Sequence, residues 1–357
     1  MQHTTTRSYP LTIGLDLGNK DTQCAVYGSD GARVEERKVT NNREQLTALF
    51  TRFPDARIVM EASTSTRWIH NLAVELGHEV VVANPRSIPI ITASVKKCDR
   101  NDARLLAELG QVRPELLNPI KFRDDRYQAV RALLFARAQL VKQRASLVTF
   151  IRSEVRVLGF SLPSCGTKVF VKTCRKMVPT ELRLALNPMF DSIDSLSAGV
   201  DTYNGHIEEL SEGPFAETQV LRQVHGVGPL VALAFVATIG DPARFEKSRT
   251  IGAYLGLVPR MKQSGRLNPD LGITKCGDRY MRSLLVSAAT RILAPAGADS
   301  DLRRFGERII GGGGRRARAR ARIAVARKLG VLLHRLLCTG EVYEPLRNTP
   351  DVSADAA

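Results

Sequence analysis

Apolar positions in the first hundred residues come in short runs separated by polar turns, and the runs switch between strand and helix periods. Leu11 to Leu17 (LTIGLDL) is apolar but for one glycine and one carboxylate and reads as a buried strand. Gln23 to Tyr27 and Ala32 to Val39 read as the next two strands, with Gly28-Ser29-Asp30-Gly31 as the hairpin turn between them. Leu46, Leu49 and Phe50 give Asn42 to Phe53 a helical spacing. Arg57 to Met60 is a short buried strand ending at Glu61, and Trp68 to Leu76 is a helix stopped by Gly77. Glu79 to Ala83 is a further buried strand, closed by Asn84-Pro85. The order β-β-β-α-β-α-β, followed by helices, predicts a mixed α/β sheet with helices on its faces.

From about Tyr127 to Leu158 the pattern becomes one long helix. Leu134, Val141, Val148 and Val155 recur every seven residues, while Arg137 and Arg144 interrupt the second column of the seam. A helix packing on its own core and a coiled coil for dimerisation both satisfy that spacing. Ser161 to Ser197, with Pro163, Gly166, Pro179 and Pro188, reads as a bent helical connector or loop. A mostly helical second domain begins near Glu217. Gly311 to Gly314 reads as a flexible hinge before a basic helix ending near Cys338, and the residues after Tyr343 read as disordered. The expected divisions are 1–125 (sheet domain), 126–216 (helical or coiled-coil connector), 217–343 (helical C-terminal domain) and 344–357 (tail).

Charge changes the picture. Lys and Arg number 52 against 36 Asp and Glu, leaving +16, an excess that must face a polyanion or solvent. Nucleic acid is the expected partner. A basic membrane-surface protein fits less well, because no long amphipathic Lys/Arg helix with Trp or Phe anchors is evident. No signal peptide or membrane span shows: Met1 to Pro10 is polar, and the apolar run after it is interrupted by Asp16. The six cysteines are scattered, without a C-x-x-C pair or a His cluster. That argues against a zinc site and for reduced thiols in a cytoplasmic compartment; the expected location is cytoplasmic, in association with the nucleoid.

Four acids stand where acids are costly. Asp16 lies inside an apolar strand and Glu61 ends the strand RIVM. Asp99 and Asp102, in K-K-C-D-R-N-D-A-R, are three residues apart and so share one face of a helix that begins there. Carboxylates converging at strand ends repel unless a divalent cation lies between them, and all-oxygen sites suit Mg²⁺ or Mn²⁺. Two such ions can activate a nucleophile and stabilise a leaving oxygen in phosphoryl transfer. Each acid also has a plain structural role available: Asp16 in a turn with Gly18 and Asn19, Glu61 capping the segment after it, Asp99 as a helix N-cap, Asp102 in the first turn. Their combination is rarer than any one of them.

Three further features carry candidate chemistry. Gly226 and Gly228, in H-G-V-G between apolar segments, fit a helix-hairpin-helix whose amides approach a phosphate, or a plain αα turn. Ser264 is surrounded in sequence by Arg260, Lys262, Arg266, Lys275, Arg279 and Arg282. A serine hydroxyl is a poor nucleophile unless its proton is removed and phosphate charge is neutralised; beside Gly265 it also reads as a turn residue. Arg315, Arg316, Arg318, Arg320 and Arg322 alternate with alanine, as a nucleic-acid clamp or as a solvated helix face that repels itself without counter-charge.

The runs I-G-L-D-L-G-N-K-D-T, M-E-A-S-T and V-V-A-N-P-R-S-I, followed by K-K-C-D-R-N-D-A-R-L-L-A, extend from about Thr12 to Ala107. In order and spacing they resemble the DEDD transposases of bacterial insertion sequences, relatives of the Piv-type DNA invertases. The N-terminal domain of that family is similar to the RuvC Holliday-junction resolvase. The resemblance implies a ribonuclease-H-like sheet domain in which Asp16, Glu61, Asp99 and Asp102 bind Mg²⁺ or Mn²⁺. G-L-V-P-R-M-K-Q-S-G-R and G-I-T-K-C-G-D-R-Y-M-R similarly resemble the family's C-terminal transposase domain. They imply Ser264 as the nucleophile that forms a phosphoserine link to DNA, in a composite site built from both domains. The resemblance further implies double-stranded DNA (element ends and target) as substrate, a Holliday-junction intermediate, a bridge RNA encoded by the element, and a dimeric or tetrameric homo-oligomer. The dense arginine run departs from the family pattern. Two other readings are a structure-specific nuclease that uses water at the metal site, and a nucleic-acid-binding protein without chemistry. A sugar-kinase or actin-like ATPase also opens with I-G-L-D-L-G, but the G-V-G here has no strand before it, as a second phosphate loop would require.

Overall fold

The computed structural model describes residues 9–85, 99–260 and 271–347, with Asp99 placed by its backbone alone. Ser264, Lys262 and Arg266 therefore lie outside the described residues. The chain divides into two units, one ending at Phe122 and one beginning at Arg123.

The strand-period runs of the first unit form one mixed sheet. Its strands are β1 (Leu11–Leu17), β2 (Asp21–Gly28), β3 (Arg33–Thr40), β4 (Arg57–Glu61) and β5 (Glu79–Ala83), in the order β3-β2-β1-β4-β5. The hairpin strands β1, β2 and β3 pair antiparallel, whereas β1–β4 and β4–β5 are parallel. This architecture is compatible with a ribonuclease-H-like α/β domain. Alternation sorts the side chains between two faces. Ile13, Leu15, Ile58 and Met60 pack beneath α1 (Arg43–Arg52) and α2 (Thr66–Glu75). The Asn42 side chain caps α1 by accepting from the Gln45 amide at 2.8 Å, and Gly77 at φ +87° ends α2. On the other face lies α3 (Asp99–Val112), with Ala103, Leu106 and Ala107 against Ala25, Tyr27, Val59 and Val81. Two glycines allow this close approach: a Cβ on Gly14 would collide with the Ala103 carbonyl, and one on Gly110 with Val59.

The second unit is helical. Helices α4 (Asp125–Val157) and α6 (Thr180–Glu212) are each 33 residues long. They run antiparallel: Arg137 donates to Asn204 Oδ1 at 2.7 Å and Arg144 to Ser197 Oγ at 3.2 Å, with Leu140 against Gly199 between them. The heptad seam of α4 thus finds its partner inside the same chain, and the arginines that break it meet polar groups of α6. The connector expected over Ser161 to Ser197 is corrected here, because α6 is continuous from Thr180 and carries Pro188 within it. Pro188 faces solvent, so the backbone bond it removes is lost where water can replace it, while Phe190 and Ile193 stay buried. The irregular stretch shortens to the residues around α5 (Phe170–Cys174), where Phe170 and Phe190 stack at 5.7 Å.

At the centre is α8 (Pro229–Ile239), buried continuously from Val231 to Ile239. Around it pack α4, α6, α7 (Thr218–Arg222) and α10 (Arg279–Ile292). The unit is completed by α9 (Ile251–Tyr254), α11 (Asp301–Ile310) and α12 (Arg315–Thr339). The disorder expected after Tyr343 is corrected as far as Arg347: the Pro345 carbonyl accepts from the Asp301 amide at 2.7 Å, and Arg347 pairs with Glu341 at 3.1 Å, while 348–357 lie outside the described residues. No helix among the described residues is long and apolar enough to cross a membrane. The described cysteines are free thiols, and burial pushes Cys24 up to about 12.

Candidate active site

Strand register brings two of the four acids together. In the parallel β1–β4 pair, Gly14 stands beside Val59 and Leu15 beside Met60. One step further sets Asp16 beside Glu61 at the carboxyl ends of both strands, at the inter-strand spacing of about 5 Å. Alternation gives Asp16 the face of Gly14 and Glu61 the face of Val59, which is the face covered by α3. The direction of α3 is fixed by its contacts. Ala103 and Ala107 lie over Gly14, and Gln111 donates to the carbonyl of Gly28, which pairs with Leu11 at the start of β1. The first turn of α3 is therefore at the end of the sheet that carries Asp16 and Glu61. Asp102 in that turn is 8% exposed, Asp16 and Glu61 are half-buried, and Asp99 is the first residue of the helix.

Two residues that sequence reasoning missed position this helix. Glu36 on β3 pairs with Arg104 and lies 3.7 Å from Arg100. The Arg104 guanidinium beside it holds the Glu36 carboxyl below its usual range. Arg57, 4% exposed, pairs with Glu79 and donates to the Gly110 carbonyl at 2.8 Å, fixing the other end of α3. The available signal was Arg100 and Arg104, one helical turn apart on the helix that bears both aspartates.

These acids supply only oxygen donors at one end of the sheet, which suits a hard divalent ion in kind. Among the described residues no three Asp, Glu, His or Cys side chains stand close enough together to hold one. The Asp99 side chain lies outside that description.

The second unit places the other candidates separately. Gly226 has φ +87°, and a Cβ there would stand 3.0 Å from the Ala288 carbonyl, so packing against α10 accounts for this glycine. Gly228 is the N-cap of α8 and has open space before it, while the preceding helix α7 is only 5 residues long. Arg260 is exposed, and its amide bonds the Gly272 carbonyl at 3.0 Å next to a Pro259–Ile273 bridge. The described residues on either side of the stretch containing Ser264 are thereby paired. Lys275 and Arg279 are exposed, whereas Arg282 donates to the carbonyls of Leu255 (2.9 Å) and Cys276 (2.7 Å), a structural use of that cation. On α12, Ala317, Ala321, Val325 and Leu329 form the buried stripe. Arg315, Arg316, Arg318 and Arg320 are exposed and Arg322 is half-buried. None of these five has an ion-pair partner among the described residues.

Comparison with known proteins finds one family match in each half of the chain. Residues 13–158 match the DEDD-type IS110 transposase family model, and residues 218–305 match that of the IS116/IS110/IS902 family transposases. The transposase of insertion sequence IS1111A from Coxiella burnetii is 26% identical over 338 residues, covering 93% of this chain and 90% of the relative. A probable family 20 transposase of Pseudomonas aeruginosa is 28% identical over 343 residues, covering 93% of this chain and 98% of the relative. The IS1328 transposase of Yersinia enterocolitica is 26% identical over 280 residues, covering 78% of this chain and 82% of the relative. With a DEDD-type domain before a second transposase domain, this chain belongs to the IS116/IS110/IS902 family of DNA transposases.

Proposed function

We propose that this transposase cuts and rejoins insertion-sequence ends and target DNA through the Ser264 hydroxyl, assisted by a divalent ion, Mg²⁺ or Mn²⁺, held by Asp16, Glu61, Asp99 and Asp102. The observation that carries the reading is the placement of Asp16, Glu61 and the first turn of α3 at one end of one sheet face. When bound, such an ion neutralises phosphate charge and favours the ionised form of an attacking hydroxyl. In the step itself a bond forms between Ser264 Oγ and phosphorus as the bond from phosphorus to a deoxyribose oxygen breaks. A hydroxyl of another strand reverses the exchange, so rejoining needs no external energy source. Arg260, Lys275, Arg279 and the arginines of α12 hold the phosphate backbone, and Gly228 offers amides near it. Two or more protomers, and a bridge RNA that selects the sites, complete the proposal by family resemblance; the net +16 charge suits such polyanions.

The test is adduct trapping. The chain is mixed with element-end DNA and Mg²⁺, then denatured. A covalent protein–DNA species is expected from the wild type and absent from Ser264→Ala, with folding checked by circular dichroism. An adduct that persists in Ser264→Ala rules out this nucleophile, and cut DNA without an adduct in either protein shows that water is the attacking group.

A further inference from the structure

The second unit contains a cavity of about 1190 Å³ whose lining combines two chemistries. The less exposed part of the lining, its floor, is apolar: Leu257, Ile273, Ile323 and Val331 with the rings of Phe305 and Tyr343. Its rim carries Arg249, Lys275, Arg320, Arg327 and Lys328, all exposed and without an ion-pair partner among the described residues. At one end Arg335 and Arg347 also line the cavity, but both pair with Glu341, at 2.9 and 3.1 Å. The remaining lining acids, Asp301 and Glu344, leave the rim strongly positive.

We propose that this groove binds an unpaired stretch of DNA, its phosphates on the cationic rim and its bases turned onto the apolar floor. The inference rests on the proposed DNA cutting and extends it to the state of the strand. Charge complementarity selects a polyanion, but phosphates alone have no use for an apolar floor. An intact duplex presents phosphates outward and keeps its base faces stacked, out of reach of a cavity wall. A single strand offers both features at once, and a cationic groove with stacking surfaces is the general solution for holding one. Lys328 Nζ stands 3.9 Å from the centre of the Phe305 ring, so one cation and one aromatic side chain of the lining are neighbours; a base stacking there would move the lysine aside toward its phosphate. Position supports the same occupant. Arg320 belongs to the exposed arginine run of α12, while Pro259, Leu271 and Gly272 flank the stretch that contains Ser264. A strand lying there would reach the described ends of that stretch.

The test uses the full chain, a short fluorescent oligodeoxynucleotide carrying 5-iododeoxyuridine, the matching duplex, and the matching oligoribonucleotide. Anisotropy should show that a double Arg327→Ala, Lys328→Ala variant weakens single-strand binding about tenfold while weakening duplex binding much less. Photocrosslinks should map to the peptides containing Phe305 or Tyr343. Equal weakening of single strand and duplex, crosslinks elsewhere, or preferential crosslinking of the ribonucleotide would each overturn the inference. Ser264→Ala separates the two levels. It should keep the crosslink and lose the adduct; an adduct formed normally without groove crosslinks rejects the groove alone, and an adduct indifferent to Ser264 rejects the nucleophile alone.

Discussion

Asp278 caps α10 by accepting from the Met281 amide at 2.9 Å and pairs with Arg131 Nη1 at 2.7 Å, the two side chains being 10% and 15% exposed. Burial alone would push its carboxyl up, but the amides of Met281 and Tyr280 and the Arg131 guanidinium outweigh it and hold Asp278 below the ordinary 3.8. A carboxylate lowered on folding contributes stability that is full above its unfolded value and is lost as pH falls through the folded value. Arg131→Ala removes a compensating partner and leaves burial in place, so the folded value rises. The variant should lose about 3 kcal/mol near neutral pH, and its acid unfolding should begin at higher pH than in the wild type. Urea denaturation between about pH 3 and pH 7 checks both; an unmoved acid onset would mean that the pair does not control this titration. The partners are 147 residues apart, each within a charged stretch, and nothing local in the sequence singles either out. Asp16 was legible for the opposite reason: a carboxylate that interrupts an apolar strand conflicts with its surroundings. Glu36 and Arg57 were not, since Glu36 sits in a run of consecutive charges and Arg57 stands at the start of its strand, where a charge is ordinary.

Helix and strand periods carried much of the architecture. Leu11–Leu17 and Glu79–Ala83 have the ends their apolar runs suggest, and the other strands and helices of the first unit shift by a residue or two. The period of α6 was hidden by its prolines, which mark a break only when the missing hydrogen bond falls where nothing can replace it. For α4 the seven-residue spacing was visible but the partner was not, because an intrachain and an interchain seam need the same residues. Wound as the expected helix, α12, the arginine run buries Ala317 and Ala321 and sets Arg315, Arg316, Arg318 and Arg320 toward solvent. Replacing Arg315, Arg316, Arg318, Arg320 and Arg322 with glutamine should flatten the dependence of log K on log[salt] for duplex DNA by up to about 4.5 units, at about 0.9 per phosphate contact. Titrations at several salt concentrations give the slope, and an unchanged slope removes α12 from the interface.

At the scale of the whole chain, the two family matches fall one on each side of the α6 segment, and the proposed chemistry draws on both: carboxylates from the first unit, a serine and cations from the second. Asp16 and Asp102 are 86 residues apart, and it was their shared chemistry and the resemblance, not linear spacing, that made them legible as one set. What sets Asp16, Glu61 and the first turn of α3 at one end of the sheet is the parallel β1–β4 pairing and the direction of α3, which no linear spacing displays. Mg²⁺-dependent cleavage of element-end DNA by the wild type, Asp16→Asn and Asp102→Asn tests this most directly, with each variant first shown to be folded. The account predicts that either amide slows cleavage by at least about a hundredfold; cleavage by both variants at the wild-type rate would contradict it.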